Sequence, residues 1–244
     1  VLVLPVRPAG PLSINRAHPR ARCLREAGAC DEAGSLVSVG RVTGRHGIVR
    51  SRTHWIETSI GPVFNFSASN NDVKWGTTPW YDALGAKVLT LAVLVQFDRI
   101  GTATSEGLVT LYRGSGSTQA YLRKNGSSQI RLNLDAATSL TVTPSPALVN
   151  GRFYRIVGTW DGATMRVYID GLLQGSLSYS TPIAGTLGAG AQLLIGAMDD
   201  ANTSPLDGRI AEWQYALGAC WSPGEVLDDA ADPWALYRDD SPIV

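Results

Sequence analysis

Arg152-Phe-Tyr-Arg-Ile-Val-Gly-Thr-Trp-Asp-Gly-Ala-Thr-Met-Arg-Val-Tyr-Ile-Asp-Gly171 is the stretch that decides how the rest of the chain is read. Asp161-Gly162 separates two strand-like runs, and Asp-Gly supplies the positive φ angles of a tight hairpin. In the second run Met165, Val167 and Ile169 fall on one face of the pleat and Arg166 and Tyr168 on the other. Alternation of this kind puts the first set into a core. Asp170-Gly171 then turns the chain again, so the segment predicts antiparallel strands joined by short turns.

The same texture extends outward. Strand-like runs lie at Gly61–Phe66, Val88–Phe97, Leu108–Arg113, Gln119–Arg123, Gln129–Leu134, Arg152–Trp160, Met165–Asp170, Gln192–Ala197 and Gly208–Leu217, separated by Gly, Asn, Asp and Ser clusters. The expectation is an all-β antiparallel sandwich in one domain, with helix as the minority element. Ser222-Pro223-Gly224-Glu225 reads as a helix start, with Ser as N-cap, Pro at the first position and Glu closing a capping box. The helix should run from about Pro223 to Ala230, with Val226 and Leu227 docking it. Asp228 and Asp229 oppose the macrodipole near its end, so it depends on packing. The chain divides into a Pro/Arg-rich extended arm and irregular segment (1–54), the sandwich (55–230) and an acidic tail (231–244). Within the first part no period persists over residues 20–50, which leaves a functional loop, a partner-bound arm or a misread element.

Across 244 residues, 21 Lys+Arg balance 21 Asp+Glu, which argues against bulk attraction to nucleic acid or an anionic membrane. Hydrophobic residues at 44% with 17% charged suffice for a core and exclude disorder of the whole chain. The longest apolar run, Val88 to Val95, falls short of a membrane span, so a soluble protein is expected. Val1–Leu4 is followed at once by Pro5, Arg7 and Pro8, so no export signal is expected either. Charge is uneven along the chain, +6 over residues 1–54 and −8 over 199–244. Opposite ends of this kind suit either salt-sensitive attraction between termini or two solvated tails. Cys23, Cys30 and Cys220 are too few for a disulfide framework and poorly spaced for zinc; free thiols in a reducing compartment are the expectation, and Cys23–Cys30 pairing stays open.

Several passages together resemble one family. Trp160-Asp-Gly162 to Tyr168-Ile-Asp-Gly171, Leu194-Ile-Gly196, Leu206-Asp-Gly-Arg-Ile-Ala-Glu212, Ala216-Leu217 and Ser222-Pro-Gly-Glu225 look like a laminin-G-like (concanavalin A-like) jelly roll, as do Gly61-Pro-Val-Phe-Asn-Phe66 and Asn71-Asp-Val73. The likeness covers roughly 60–230 and implies two antiparallel sheets packed face to face. The ends, Leu4-Pro-Val-Arg-Pro8, Ile14-Asn-Arg-Ala-His-Pro19 and Asp232-Pro-Trp-Ala-Leu-Tyr237, resemble laminin-G-like proteins among tailed-phage structural genes. That resemblance implies a non-catalytic virion component, such as a capsid decoration, head-fibre or tail-associated protein, assembled in the host cytoplasm. It would attach to other virion proteins or to copies of itself through its termini, with Pro5, Arg7, Pro8, Ile14, Arg16 and His18 at the interface. The sequence departs from the pattern at Arg20–Cys30, where an apolar first strand is either lost or replaced.

The alternative is a carbohydrate-binding adhesion module, with a host-surface glycan as partner. Seven Trp are available, and Trp55, Trp75 and Trp80, in or beside loop-like sequence, are candidates for a sugar platform or a protein interface. Trp160 and Trp213 lie within strand-like runs and suit a core. A glycan hydrolase ranks third, because hydrolysis on this fold needs paired carboxylates from one strand face and no Glu-x-Asp-x-Glu run occurs; Glu212 and Asp98 are isolated. No nucleophile elbow or His-Glu-x-x-His is present, and His18, His46 and His54 suit surface or partner contacts. Gly114-Ser-Gly-Ser117 reads as a hairpin loop and Gly185–Gly190 as a turn. No cofactor is expected, with calcium as the one candidate metal: Asp199, Asp200 and Asn202 share a loop, and Asp207 follows. Such residues also make ordinary turns.

Overall fold

The computed structural model describes residues 24–29, 37–39, 46–49, 54–66 and 73–75, and 86–237 apart from 103, 115–116, 127, 136–137, 185–190 and 199–203. Sixteen strands occur among the described residues: β1 (Leu24–Ala29), β2 (Val37–Val39), β3 (His46–Val49), β4 (His54–Thr58), β5 (Gly61–Phe66), β6 (Val73–Trp75), β7 (Leu89–Phe97), β8 (Glu106–Gly114), β9 (Ser117–Asn125), β10 (Gln129–Leu134), β11 (Thr138–Val142), β12 (Phe153–Trp160), β13 (Thr164–Ile169), β14 (Leu172–Ser178), β15 (Gln192–Ile195) and β16 (Gly208–Leu217). They pair antiparallel into two sheets. The first has the order β14-β13-β12-β7-β16-β5-β4, with β1 also on β16, and the second β11-β10-β9-β8-β15-β6-β3-β2. This is the antiparallel sandwich expected from the alternation, and it is consistent with the jelly roll that the laminin-G-like resemblance implies.

The inner faces share one core. Leu91, Val93 and Val95 of β7, Ile156 of β12 and Met165, Val167 and Ile169 of β13 meet Leu122, Leu132 and Leu193 of the second sheet. Gly158 belongs here because a Cβ on it would lie 2.9 Å from Leu132 Cδ1. The first sheet is covered on its outer face too, by the chain after β16. Ala92, Val157 and Tyr168 pack with Trp221 and Val226, while Leu94 and Ala211 pack with Trp234, Leu236 and Tyr237. Burial on both faces is why Val88–Val95 is an apolar run interrupted only by Thr90 instead of an alternating one.

The covering segment holds α1 (Pro223–Ala231) and a 3-10 turn (Ala235–Tyr237). Ser222 and Glu225 form the expected capping box: the Glu225 N–H donates to Ser222 Oγ at 3.3 Å and the Ser222 N–H to Glu225 Oε2 at 2.8 Å. The helix docks through Val226 and Asp229, whereas Leu227 is 54% exposed, contrary to expectation. Arg155 of β12 explains the choice: its Nη2 donates to Asp229 Oδ1 at 3.0 Å and its Nε to Oδ2 of the same carboxylate. Arg155 Nη1 donates to Glu212 of β16, whose other oxygen accepts the Tyr237 hydroxyl at 2.9 Å. A bulge at Ala211 resets the parity of β16 and turns Glu212 to this outer face. Arg155, Glu212 and Asp229 are fully buried, so Asp229, one of the two charges that looked adverse in the helix, holds it down.

Three sequence expectations are corrected. The irregular span 20–50 contains β1, β2 and β3, with β1 laid along Glu212–Ala216 of β16, beyond the part of that edge used by β5. Strands of three to six residues carry too little alternation to be recognised, and a partner edge selects them instead. The replaced segment Arg20–Cys30 thus supplies a strand. The acidic tail does not begin at 231, because Trp234, Leu236 and Tyr237 are buried on the first sheet. At the Asp161-Gly162 turn only Gly162 has a positive φ, 90°; Asp161 acts through its carboxylate, Oδ1 accepting the N–H groups of Ala163 and Thr164 at 2.9 and 2.7 Å. Asp170-Gly171, with φ of 51° and 81°, is the turn in which both residues are left-handed. It leads into β14, which the sequence reading did not identify.

Candidate functional site

A solvent-open cleft of 530 Å³ lies at the corner of the first sheet where β12, β13 and β14 meet the segment between β11 and β12. Ser145, Pro146, Arg152, Tyr154, Ile169, Asp170, Leu172 and Gln174 line it.

Each polar group is held by the fold. The left-handed turn at Asp170 aims its carboxylate back at β12, where Oδ1 accepts the Arg155 N–H at 2.9 Å and Oδ2 accepts Arg152 Nη2 at 2.5 Å. Burial raises the Asp170 pKa above the ordinary aspartate value, against the opposing pull of the Arg155 N–H and the Arg152 charge. Arg152, one-third exposed at its side chain, lies with Cζ 4.7 Å from the centroid of the Tyr154 ring. That cation–π contact and the Asp170 bond hold the guanidinium in place. The Tyr154 hydroxyl accepts the Val149 N–H at 2.7 Å. Gln174 is the extra residue of a bulge opposite Val167 and Tyr168; its Oε1 accepts the Ser145 N–H at 2.8 Å, tying edge strand to loop. Pro146, Ile169 and Leu172 supply apolar surface between these groups. One fixed cation, one buried carboxylate and apolar patches can orient a small polar ligand.

A second ionic centre sits where the loops after β7 and before β16 meet. Lys124 Nζ, fully buried, donates to Glu106 Oε1 at 2.6 Å, Thr102 Oγ1 at 3.1 Å and the Thr104 carbonyl at 3.3 Å. Burial raises the Glu106 pKa in spite of Lys124. The ammonium already occupies this cluster of oxygens. Asp207, the described member of the calcium candidates, instead holds Arg99 Nε at 2.6 Å, and its N–H donates to Glu106 Oε2 at 3.3 Å. Among the described residues no group of three or more His, Cys, Asp or Glu is placed to hold a metal. Asp199, Asp200 and Asn202 lie outside the described residues.

Of the sugar-platform candidates, placed in or beside loop-like sequence, Trp55 falls in β4 and Trp75 is the last residue of β6, in different sheets. β4 is at the opposite edge of the first sheet from β14, so the cleft is not built on these residues. Trp80 lies outside the described residues, as do the interface candidates Pro5, Arg7, Pro8, Ile14, Arg16 and His18. Trp160, Trp213, Trp221 and Trp234 are all buried. His46 opens β3 and His54 opens β4. Cys220 is a half-buried free thiol whose pKa burial pushes up, which keeps it protonated. The cleft residues themselves were not anticipated. Asp170 read as a turn residue and Arg152 as a strand start.

Residues 67–219 match the family model for the Concanavalin A-like lectin/glucanases superfamily, more than half of the chain. The chain belongs to that superfamily. No sequence among the curated proteins matches it. Among solved structures, this superfamily member is similar to domain 4 of a GH43 extracellular arabinanase from Geobacillus stearothermophilus, in complex with arabinotriose. The TM-score is 0.61 at 15% identity, covering 85% of this chain and 98% of that one. It is also similar to Trypanosoma rangeli sialidase in complex with the inhibitor DANA, at TM-score 0.64 and 14% identity over 87% of this chain. The match spans 33% of the sialidase chain. A third likeness is to the Botulinum neurotoxin serotype D binding domain, at TM-score 0.60 and 13% identity, over 85% of this chain and 50% of that one.

Proposed function

We propose that this chain is a non-catalytic carbohydrate-binding sandwich whose ligand seats in the cleft between Ser145 and Gln174. The carrying observation is the cleft's composition: fixed polar groups on Arg152, Asp170 and Gln174 around the apolar surface of Pro146, Ile169 and Leu172. Sugars present hydroxyl edges and C–H faces, and a wall of this kind meets both. The likeness, over 85% of this chain, to an arabinanase domain solved with arabinotriose supports the reading at the level of fold. Asp170 is the one carboxylate in the lining, and the acids behind it, Glu212 and Asp229, are sealed on Arg155. Acid and base or nucleophile of a glycosidase need two carboxyl groups facing one bond, so binding without cleavage suits this wall better than hydrolysis. Affinity electrophoresis through gels containing arabinan, xylan, galactan or polygalacturonate tests it: retardation by at least one glycan, removed by Arg152→Ala, is expected. No retardation by any of them contradicts it.

A phage-particle component, which also fits a glycan-binding module, is the second reading and rests on the terminal motifs. The motif Asp232–Tyr237 is used inside the domain, with Trp234, Leu236 and Tyr237 buried. Attachment to neighbours, whether other virion proteins or further copies, therefore falls to residues 1–23. Particles carrying a truncation to residue 24 should lose the protein while the purified domain stays folded; undiminished incorporation contradicts the reading.

A further inference from the structure

The hydrogen-bonding groups of the cleft are asymmetric. Both oxygens of Asp170 accept internal bonds, from the Arg155 N–H and from Arg152 Nη2. Gln174 is bonded at both ends of its amide, Oε1 accepting from Ser145 at 2.8 Å and Nε2 donating to the Leu172 carbonyl at 3.3 Å. The Tyr154 hydroxyl oxygen already accepts the Val149 N–H. Among the described residues, Arg152 Nε and Nη1 have no protein partner; the Ser145 hydroxyl, also without one, can donate or accept, so the spare charged capacity is all donor. A guanidinium held over an aromatic ring with one N–H of Nη2 on Asp170 keeps its second Nη2 hydrogen beside Nε or Nη1, a pair suited to a planar group that only accepts.

Given the glycan-binding reading, on which this step rests, we infer that the cleft takes a carboxylate-bearing saccharide, with Arg152 reading the carboxylate. A neutral sugar hydroxyl uses one of these donors at a time and asks for an acceptor in return, whereas the oxygens of Asp170, Gln174 and Tyr154 each already accept an internal bond. A uronate carboxylate uses two donors and asks for none. Leu172, 57% exposed, and Pro146 remain for the C–H face of the ring.

The test is calorimetric titration of the full chain with trigalacturonic acid, its methyl triester and arabinotriose, repeated with Arg152→Met and Arg152→Lys. The acid should bind about tenfold or more tightly than its ester, as expected for one charge-assisted fork. Arg152→Met should erase that ratio with little change in melting temperature, and Arg152→Lys should retain only part of it. Equal affinity for acid and ester, or a preference for arabinotriose, overturns the inference while leaving the glycan reading standing. Failure of all three probes, together with no retardation in the polysaccharide gels, overturns both. If the acid binds preferentially but Arg152→Met leaves the ratio intact in a folded protein, the assignment to this cleft is wrong.

Discussion

The centre and one corner of the same sheet meet opposite fates. On the outer face at β12, β7 and β16, Arg155 is sealed beneath α1 and Tyr237 with two carboxylates and no access to water. One turn away, at the β13–β14 corner, Arg152 meets a single carboxylate and keeps a third of its side chain exposed. The two arginines are three residues apart and are joined through Asp170, which accepts from the backbone of one and the side chain of the other. Completed charge pairing under an apolar lid makes a structural clamp, because nothing is left for a ligand to satisfy. Incomplete pairing beside solvent leaves donors in place and makes a site.

The comparison is broken most severely at the clamp. Arg155→Met should cost about 3–5 kcal/mol in chemical denaturation, because Glu212 and Asp229 are left buried and uncompensated. Adding Glu212→Leu and Asp229→Leu should recover much of that loss, since an apolar trio needs no partner. Tyr237→Phe removes one donor from Glu212 and should cost about 1–3 kcal/mol by the same measurement. Arg152→Ala sharpens the contrast: its pair with Asp170 is partly exposed, so stability should fall by no more than about 1 kcal/mol while glycan retardation disappears. The smallest effect belongs to Asp161. Burial opposes its charge, but Arg166 and the N–H groups of Ala163 and Thr164 together hold its pKa below the ordinary value. A depressed folded pKa contributes stability above the unfolded value and loses it as pH falls through the folded one. Asp161→Asn should therefore flatten the stability profile below about pH 4, at a cost of about 0.5–1 kcal/mol at neutral pH.

Much of the sandwich was legible because its central strands alternate or run apolar in ways backbone geometry dictates. Met165, Val167 and Ile169 faced inward as their spacing required, and the capping box at Ser222 formed as written. The short strands β1 to β3 were not legible, since three to six residues cannot display a period and their pairing partners decide them. β14 escaped notice because Leu-Leu-Gln-Gly-Ser-Leu-Ser includes a bulge at Gln174 that breaks the alternation. The cleft was less legible still. Its residues come from a loop, a strand start, a turn and a bulge, and only the fold brings Ser145 to Gln174 across 29 positions. Trp55, Trp75 and Trp80 drew attention by residue type, which says what could bind a sugar but not where the sheets place it.

The most direct test of the account is backbone amide chemical-shift mapping of the full chain during titration with a retarding glycan. The account predicts shifts confined to Ser145, Arg152, Asp170, Leu172 and Gln174 and their neighbours, saturating together with one dissociation constant. Saturable shifts centred on another part of either sheet, with this corner silent, would contradict it.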